Sequence, residues 1–428
     1  PPLIFLGRGG VGGRKPFFTK GGPLPRFPHK DAHAIQKRTI IVSGLAATYP
    51  LGGVAWDYIQ YLHGFYRLGH DVYYLEDTGG WAYDPFNVTF VDDLTYHTQY
   101  LGDYVAALDP GLAKRFCVIG PDDRHWGMSA EDLAAVVARA DVFFNISTTC
   151  QLRDAYAKIP VKVLIDSDPL YTQSSFPQFL DGTATDEEKR NIENMRRHDV
   201  FFSFGENINE NFCTVPKGIV DWIPTRQPIV LDSWAGAPET PARDAFTTVL
   251  SWQPTQKGPL VGGVQYGGKN MEFEKMLDLP QKTSAPLELA LGGGRPPREL
   301  LEEKGWKLRD GFSMSQTPWV YRDYIWDSFA EFSTAKNAYV ATRSGWFSCR
   351  TACYLASGRP AVVQDTGYSR FMDVGEGVVA FDDEAGALAG IEAVRADWPR
   401  HAKAAKAFAA RYFDSDTVLA KLLADALR

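Results

Sequence analysis

From residue 39 onward the chain alternates short apolar runs with segments of helical spacing, and this alternation restricts its fold more than any other feature. Apolar runs at 39–43, 71–75, 116–119, 141–145, 161–165 and 200–204 read as strands. Between them lie helical segments such as 54–68, where Val54, Tyr58, Tyr61, Phe65 and Leu68 share one face, and 130–138 and 187–197. Strands that are apolar throughout, each followed by a helix, specify a parallel sheet covered on both faces. Proline-rich sequence at 224–241 interrupts the pattern and reads as a linker. A second series follows, with strands at 247–252, 287–291, 306–308, 337–341, 361–364 and 378–381, helices at 321–332 and 347–356, and Ala-rich helices over 384–428. The expectation is an α/β protein of two doubly wound, Rossmann-like domains, 39–240 and 241–428, facing a central cleft, with the last helix crossing back.

Residues 1–38 differ in kind. They hold seven Gly, six Pro and eight Lys/Arg against one acidic residue, Asp31, which reads as a basic extension. Gly7–Gly12 formally matches G-x-G-x-x-G, but prolines and glycines follow where a dinucleotide site needs a helix. The extension's charge supports weak attraction to an anionic membrane surface, ~1 kcal/mol per basic residue. The whole chain of 428 residues carries a net charge of -7, which argues against a general nucleic-acid binder. No apolar run reaches the ~18 residues of a membrane span. Five scattered cysteines form neither a disulfide framework nor a zinc pattern, and together these features suit a cytoplasmic protein with no metal site.

In open parallel sheets ligands bind beyond the carboxyl ends of strands, and anions favour helix N-termini. The segment Arg343, Ser344, Gly345, Trp346, Phe347, Ser348 stands between a strand and a helix in this reading. Gly345 permits close backbone approach, Ser348 offers a cap, and Arg343 and Arg350 offer forks for a diphosphate. Gly263–Asn270 matches G-x-x-x-x-G-K, but Asn270 stands where a P-loop needs Ser or Thr, so an ATPase is not expected. Lys257 and Lys269 are candidate diphosphate ligands, with solvated surface lysines the equal alternative.

Gly345-Trp346-Phe347-Ser348 followed by Cys353-Tyr354-Leu355-Ala356-Ser357-Gly358-Arg359-Pro360 and the apolar Ala361-Val362-Val363 resembles the donor-site signature of GT-B glycosyltransferases. Gly375-Glu376-Gly377, Phe381-Asp382-Asp383 and the Gly52-Gly53 loop with Leu68-Gly69-His70-Asp71-Val72 are similar to the family pattern over residues 39–428. The resemblance implies metal-independent transfer of a sugar from a nucleotide-diphosphate sugar, with no other cofactor. It implies diphosphate on the helix after Ser348, donor-sugar contacts from Gln364, Asp365, Thr366 and Gly367, and an acceptor against the loop holding Gly52 and Gly53. Where retaining members carry two glutamates, this chain has Gly345 and Cys353, and where plant-type members begin their box with His it has Arg343.

The first loop, residues 45–54, contains no His or carboxylate, and Asp57 lies one turn into the helix that follows. Asp166 and Asp168 stand at a strand's carboxyl end as candidate base and orienting group, or equally as turn caps before Pro169, and Glu206 has the same standing. His97 and His125 read as lone structural histidines. A GT-B epimerase or phosphorylase and a catalytically silent binding scaffold remain as alternatives to transfer.

Overall fold

The computed structural model describes residues 36–252 and 258–428. The first sheet has eight strands, in the order Trp222–Pro224, Val200–Ser203, Val161–Asp166, Val142–Ile146, Thr39–Ser43, Asp71–Glu76, Phe116–Ile119 and His125–Gly127. All its pairs are parallel except the last. The second sheet is parallel throughout and runs Lys307–Asp310, Leu287–Gly293, Arg243–Trp252, Ser328–Ser333, Ala361–Gln364, Val378–Phe381. In each sheet the first strand in sequence lies inside, with chain progression reversing beside it. Both domains therefore have a switch-point crevice at the carboxyl ends of their strands. Two doubly wound sheets confirm the expected fold class.

One stretch departs from the reading of the sequence. Residues 321–332 are not a single helix, and 337–341 is not a strand. Thr317 caps a helix, Pro318–Asp327, by accepting from the Val320 N–H. The strand is Ser328–Ser333, and Asn337–Thr342 is a short helix ending on Arg343 in the left-handed region. Phe329 and Phe332 are three apart and mimic helical periodicity, but both belong to a strand whose last four residues are buried.

Gly52 and Gly53 are likewise the first turn of the helix Gly52–Arg67 rather than a loop. They lie against the second domain. A Cβ on Gly52 would stand 2.5 Å from the Thr317 carbonyl oxygen and 2.6 Å from Tyr321 Cβ, and the Gly52 N–H donates to the Ser315 carbonyl at 2.7 Å. Trp56 on the same helix donates its indole N–H to the Pro318 carbonyl at 2.8 Å and packs on Trp234 and Trp319. These glycines allow the junction to close, which leaves them inaccessible to an acceptor.

The helix Ser415–Ala426 packs against the opposite end of Gly52–Arg67, where a Cβ on Gly64 would meet Leu419 Cδ1 at 2.4 Å. Gly102, inside the helix Thr95–Leu108, has only an ordinary 3.4 Å contact with Phe116. Alanine at each site gives opposite effects. Gly102→Ala raises stability by about 0.5–1 kcal/mol through helix propensity and lost unfolded-state entropy. Gly64→Ala lowers it by about 1–3 kcal/mol, because overpacking displaces the last helix. Urea unfolding midpoints of the two variants against the parent chain check both signs.

Candidate functional site

Three elements of the second domain converge at the carboxyl ends of its central strands. Ser328–Ser333 leads into Thr334, Ala361–Gln364 leads into Thr366, and the helix Cys349–Ala356 starts beside them. They line a small cleft of about 20 Å³, open to solvent, with Ser333, Thr334, Ser348, Arg350 and Thr366 on its walls. Ser348 occupies the N-cap position without a side-chain capping bond, and no acid stands in the helix's first turn. The first turn of this helix therefore carries no cap from its own chain segment, and the carboxyl that meets it, Asp57 at Cys349, comes from the first domain. The buried Thr334 Oγ1 in the same cleft lacks a hydrogen-bond partner.

The cations here have different duties. Arg350 donates Nε to Glu331 at 2.7 Å, Nη2 to Ser333 Oγ at 2.6 Å and Nη1 to the Val249 carbonyl at 2.9 Å. Its fork is committed to the scaffold, which corrects the expectation that it grips a diphosphate. Lys269 has no partner among the described residues. Burial, then repulsion from Arg350 and Lys336, hold its ammonium well below the ordinary lysine range, with Glu331 opposing only in part. Lys269 is half-buried, so a lysine crowded by like charges at this strand end is a candidate anion ligand. Arg343 is exposed and carries the loop's left-handed turn at φ 53°. Lys257 and Gly7–Gly12 lie outside the described residues.

The remaining donor-loop candidates hold one another in place. Ser344 is fully buried, and its hydroxyl points back to the Tyr339 carbonyl at 3.4 Å. The Gly345 N–H donates to the Thr366 carbonyl at 2.9 Å, so it is not free for a phosphate. Gln364 accepts from the Ala335 N–H and donates to Glu272 at 2.7 Å. Asp365 accepts from the Gly367 N–H at 2.8 Å and from Ser369 Oγ. Thr366 donates to the Trp346 carbonyl at 2.6 Å. Asn207, from the first domain, donates to the carbonyls of Arg343 and Gly367, both at 3.1 Å. Cβ atoms on Gly345 and Gly367, at φ 78° and 100°, would stand 2.9 and 2.7 Å from the Asn207 side chain. The glycines serve close approach, as expected, but what approaches is this asparagine.

Across the cleft stand the carboxylates. Asp166 is fully buried and accepts from Thr172 Oγ1, Gln173 Nε2, Ser203 Oγ and the Asp168 N–H at 2.6–3.1 Å. With every lone-pair direction occupied it shapes the turn. Asp168 bridges the domains, accepting from Lys336 Nζ at 2.6 Å and from the Tyr339 hydroxyl. Burial would depress the Lys336 ammonium, but Asp168 outweighs it and raises its pKa. Asp57 faces Cys349, the first residue of the donor-side helix. Burial pushes its carboxyl up to about 6, a Cys349 hydrogen bond opposing and Asp168 adding. Glu206 is pushed up to about 7 by burial, with Arg226 beside it opposing. His97 bonds the Tyr83 carbonyl and His125 the Asp123 carbonyl.

Sequence reasoning missed Lys336, Asn207 and Glu331 and left Asp57 without a role. Only Glu331 carried a signal, as the one carboxylate inside an otherwise apolar run. Lys269 and Arg350 differ in a testable way. Replacing Arg350 with Ala strands the buried Glu331 carboxylate and costs about 3–5 kcal/mol of stability. For Lys269 the folded-state pKa is depressed, so its charge opposes folding at every pH below the unfolded value near 10. Lys269→Met therefore keeps or raises the melting temperature at pH 7, measured by differential scanning calorimetry.

No protein-family model matches the sequence, and no curated protein matches it. Solved structures do. An alpha-glucosyltransferase (AGT) in complex with UDP has a TM-score of 0.54 at 12% identity, over 91% of this chain and 99% of that one. An alpha-glucosyltransferase in complex with UDP-glucose and DNA containing an abasic site gives 0.52 at 13%, over 91% and 98%. Anabaena HepE in complex with UDP and glucose gives 0.53 at 11%, over 91% and 100%. At these identities the likeness is one of architecture, and it covers 91% of the chain: two Rossmann-like domains facing a cleft, the GT-B fold.

Proposed function

We propose that this protein is a glycosyltransferase that moves a sugar from a nucleotide-diphosphate sugar to an acceptor hydroxyl. The observation that carries the proposal is the pairing of an uncapped helix N-terminus with the partnerless Lys269 at the carboxyl ends of the second domain's strands. A diphosphate supplies the negative charge both lack, and its binding relieves the cost of burying Lys269. Arg343 adds a guanidinium from the exposed loop above. The structural neighbours' complexes with UDP and with UDP-glucose support uridine diphosphate as the first nucleotide to try.

Asp57 is the best-placed general base. Its pKa of about 6 leaves it mostly ionised at pH 7 while keeping it basic enough to accept a proton. The acceptor oxygen forms its bond to the anomeric carbon as the bond to the diphosphate oxygen breaks. The acceptor's proton passes to Asp57, and the departing charge is stabilised by Lys269 and the helix N–H groups. These groups do the work of a divalent ion, so turnover persists in EDTA. Asp168 is already bound to Lys336 and acts as a bridge between domains, and Asp166 as the organiser of its turn.

The test combines binding and turnover. UDP, GDP, ADP and TDP are compared by thermal shift, and one of them gives several degrees in the parent chain and none in Lys269→Met. Asp57→Asn lowers kcat on the matching nucleotide sugar by about 10²-fold or more and removes the acid limb of the pH profile near 6. The same substitution stabilises the fold. A folded-state pKa above the unfolded 3.8 means that stability falls as pH rises from about 4 to 6, so Asp57→Asn melts higher at pH 7.5 and equals the parent below pH 4. Nucleotide binding with neither transfer nor donor hydrolysis selects the silent scaffold, and no nucleotide binding overturns the reading.

A further inference from the structure

Among the described residues, every exposed Trp and Phe lies on one hairpin. Trp81, Phe86 and Phe90 are 37, 45 and 43% exposed. The hairpin pairs Ala82–Asp84 with Thr89–Val91, antiparallel. Its turn is built rather than loose. Asp84 Oδ1 accepts from the Phe86 and Asn87 N–H groups at 2.8 and 3.2 Å, and Oδ2 from Asn87 Nδ2 at 2.7 Å. Val88 is held at φ 52°, a conformation that β-branched residues avoid. Strain of this kind persists only where the surroundings impose it.

The hairpin stands on the rim of the first domain's switch-point crevice. The Tyr83 N–H donates to the Thr48 carbonyl at 2.8 Å, and the Tyr49 ring lies 5.8 Å from Tyr83 and 6.4 Å from Phe90. Gly79, two residues before Trp81, abuts Gln151, whose N–H donates to the Asp77 carbonyl at 2.9 Å. Four and three residues before Gln151 in the chain, Ser147 and Thr148 are consecutive residues in the left-handed region, with Ser147 Oγ 2.5 Å from Ser167 Oγ. At the far tip Phe86 packs edge-on against Phe312 of the second domain, with ring centroids 5.3 Å apart. Exposed aromatic rings, flanking hydroxyls and the two domains thus meet at one mouth of the cleft.

The charge of this face narrows the occupant. Asp84, Asp92 and Asp93 are carboxylates in the hairpin or just after it in the chain. Its cations are already paired: Arg124 with Asp122, Arg153 with Asp77 and Asp123, Lys336 with Asp168. A phosphate- or sulfate-bearing acceptor would need uncommitted basic groups here. An enclosed apolar slot for a hydrophobic acceptor is absent too, since the rings stand open. Open rings beside carboxylates and hydroxyls match a sugar, whose C–H face stacks on an aromatic plane while its hydroxyls donate to the polar rim.

We infer that the Trp81–Phe90 hairpin is the acceptor platform and that the acceptor is an uncharged glycan. The inference rests on the glycosyltransferase reading above and supplies the substrate class it lacks. Its test is read separately from the donor site. The full chain, with and without UDP, is applied to an immobilised array of neutral, sulfated and sialylated glycans and duplex DNA, beside a W81A/F90A double variant and Trp81→Phe. Neutral glycans bind, the double variant loses that binding at least tenfold, Trp81→Phe retains it, and all three chains keep the same melting temperature and UDP shift. Retention by the charged glycans or DNA alone overturns the inference, as does neutral-glycan binding unchanged in the double variant, or no glycan binding in the presence of UDP. Neutral-glycan binding that depends on Trp81 but comes with no nucleotide shift upholds the platform and removes the donor site instead.

Discussion

The ion pair between Glu331 and Arg350 is the constraint on which the donor side of the cleft is built. Glu331 is fully buried on the strand Ser328–Ser333, and Arg350 lies in the first turn of the helix Cys349–Ala356. Through Val249 and Ser333 the guanidinium also fixes the central strand and the strand end above the cleft. Removing either partner leaves an uncompensated charge in a dry site, which is far costlier than losing a surface pair. Because Arg350 is neutralised from below, the helix terminus keeps its own partial charge for whatever binds above. A second network positions Lys269. Glu272 accepts from Lys275, Asn337 and Gln364, which ties the short helix Lys269–Phe273 to the end of Ala361–Gln364.

The two walls of the cleft consequently carry opposite charge. Lys269, Lys336 and the helix terminus belong to the second domain, while Asp57 and Asp168 belong to the first. Such a division favours a reaction that separates charge across the cleft. An anionic leaving group is drawn to one side and a proton to the other. A raised pKa at Asp57 and a lowered one at Lys269 both have burial as their first cause and mark the two ends of that field.

The fold was readable in the sequence because strands apolar throughout and helices with one apolar face need only local pattern. The single exchange of helix and strand, at 321–341, occurred where Phe329 and Phe332 gave a local period that the sheet overrode. The site was readable only in outline. The expected strand before Arg343 is the short helix Asn337–Thr342, so that loop joins two helices, and of the residues it suggested Ser348 and Arg350 line the cleft. Which residues are committed elsewhere depended on partners far off in the chain: Arg350 on Val249, Gly345 on Asn207, Gly52 on Ser315, and Gln364 on Glu272. No spacing rule announces such contacts. A glycine in a turn looks the same in sequence whether a phosphate, a side chain or a neighbouring domain occupies the space its Cβ would fill.

The contacts that span the cleft are of unequal strength, and this decides how a ligand reaches it. Lys336 and Asp168 are 35 and 47% exposed, so the ion pair between them is worth at most about 1 kcal/mol. At Asn207 the domains meet through three hydrogen bonds, and two left-handed glycines leave no room for displacement toward the asparagine. At Gly52 the backbone itself is bonded to Ser315. The Lys336–Asp168 pair does not stand alone, since the Tyr339 hydroxyl also donates to Asp168 and the Trp346 indole N–H to the Ser167 carbonyl at 3.0 Å. Within the glycosyltransferase reading proposed above, a diphosphate on the cationic wall takes over the charge that Asp168 supplies to Lys336, leaving that carboxylate free to face the acceptor.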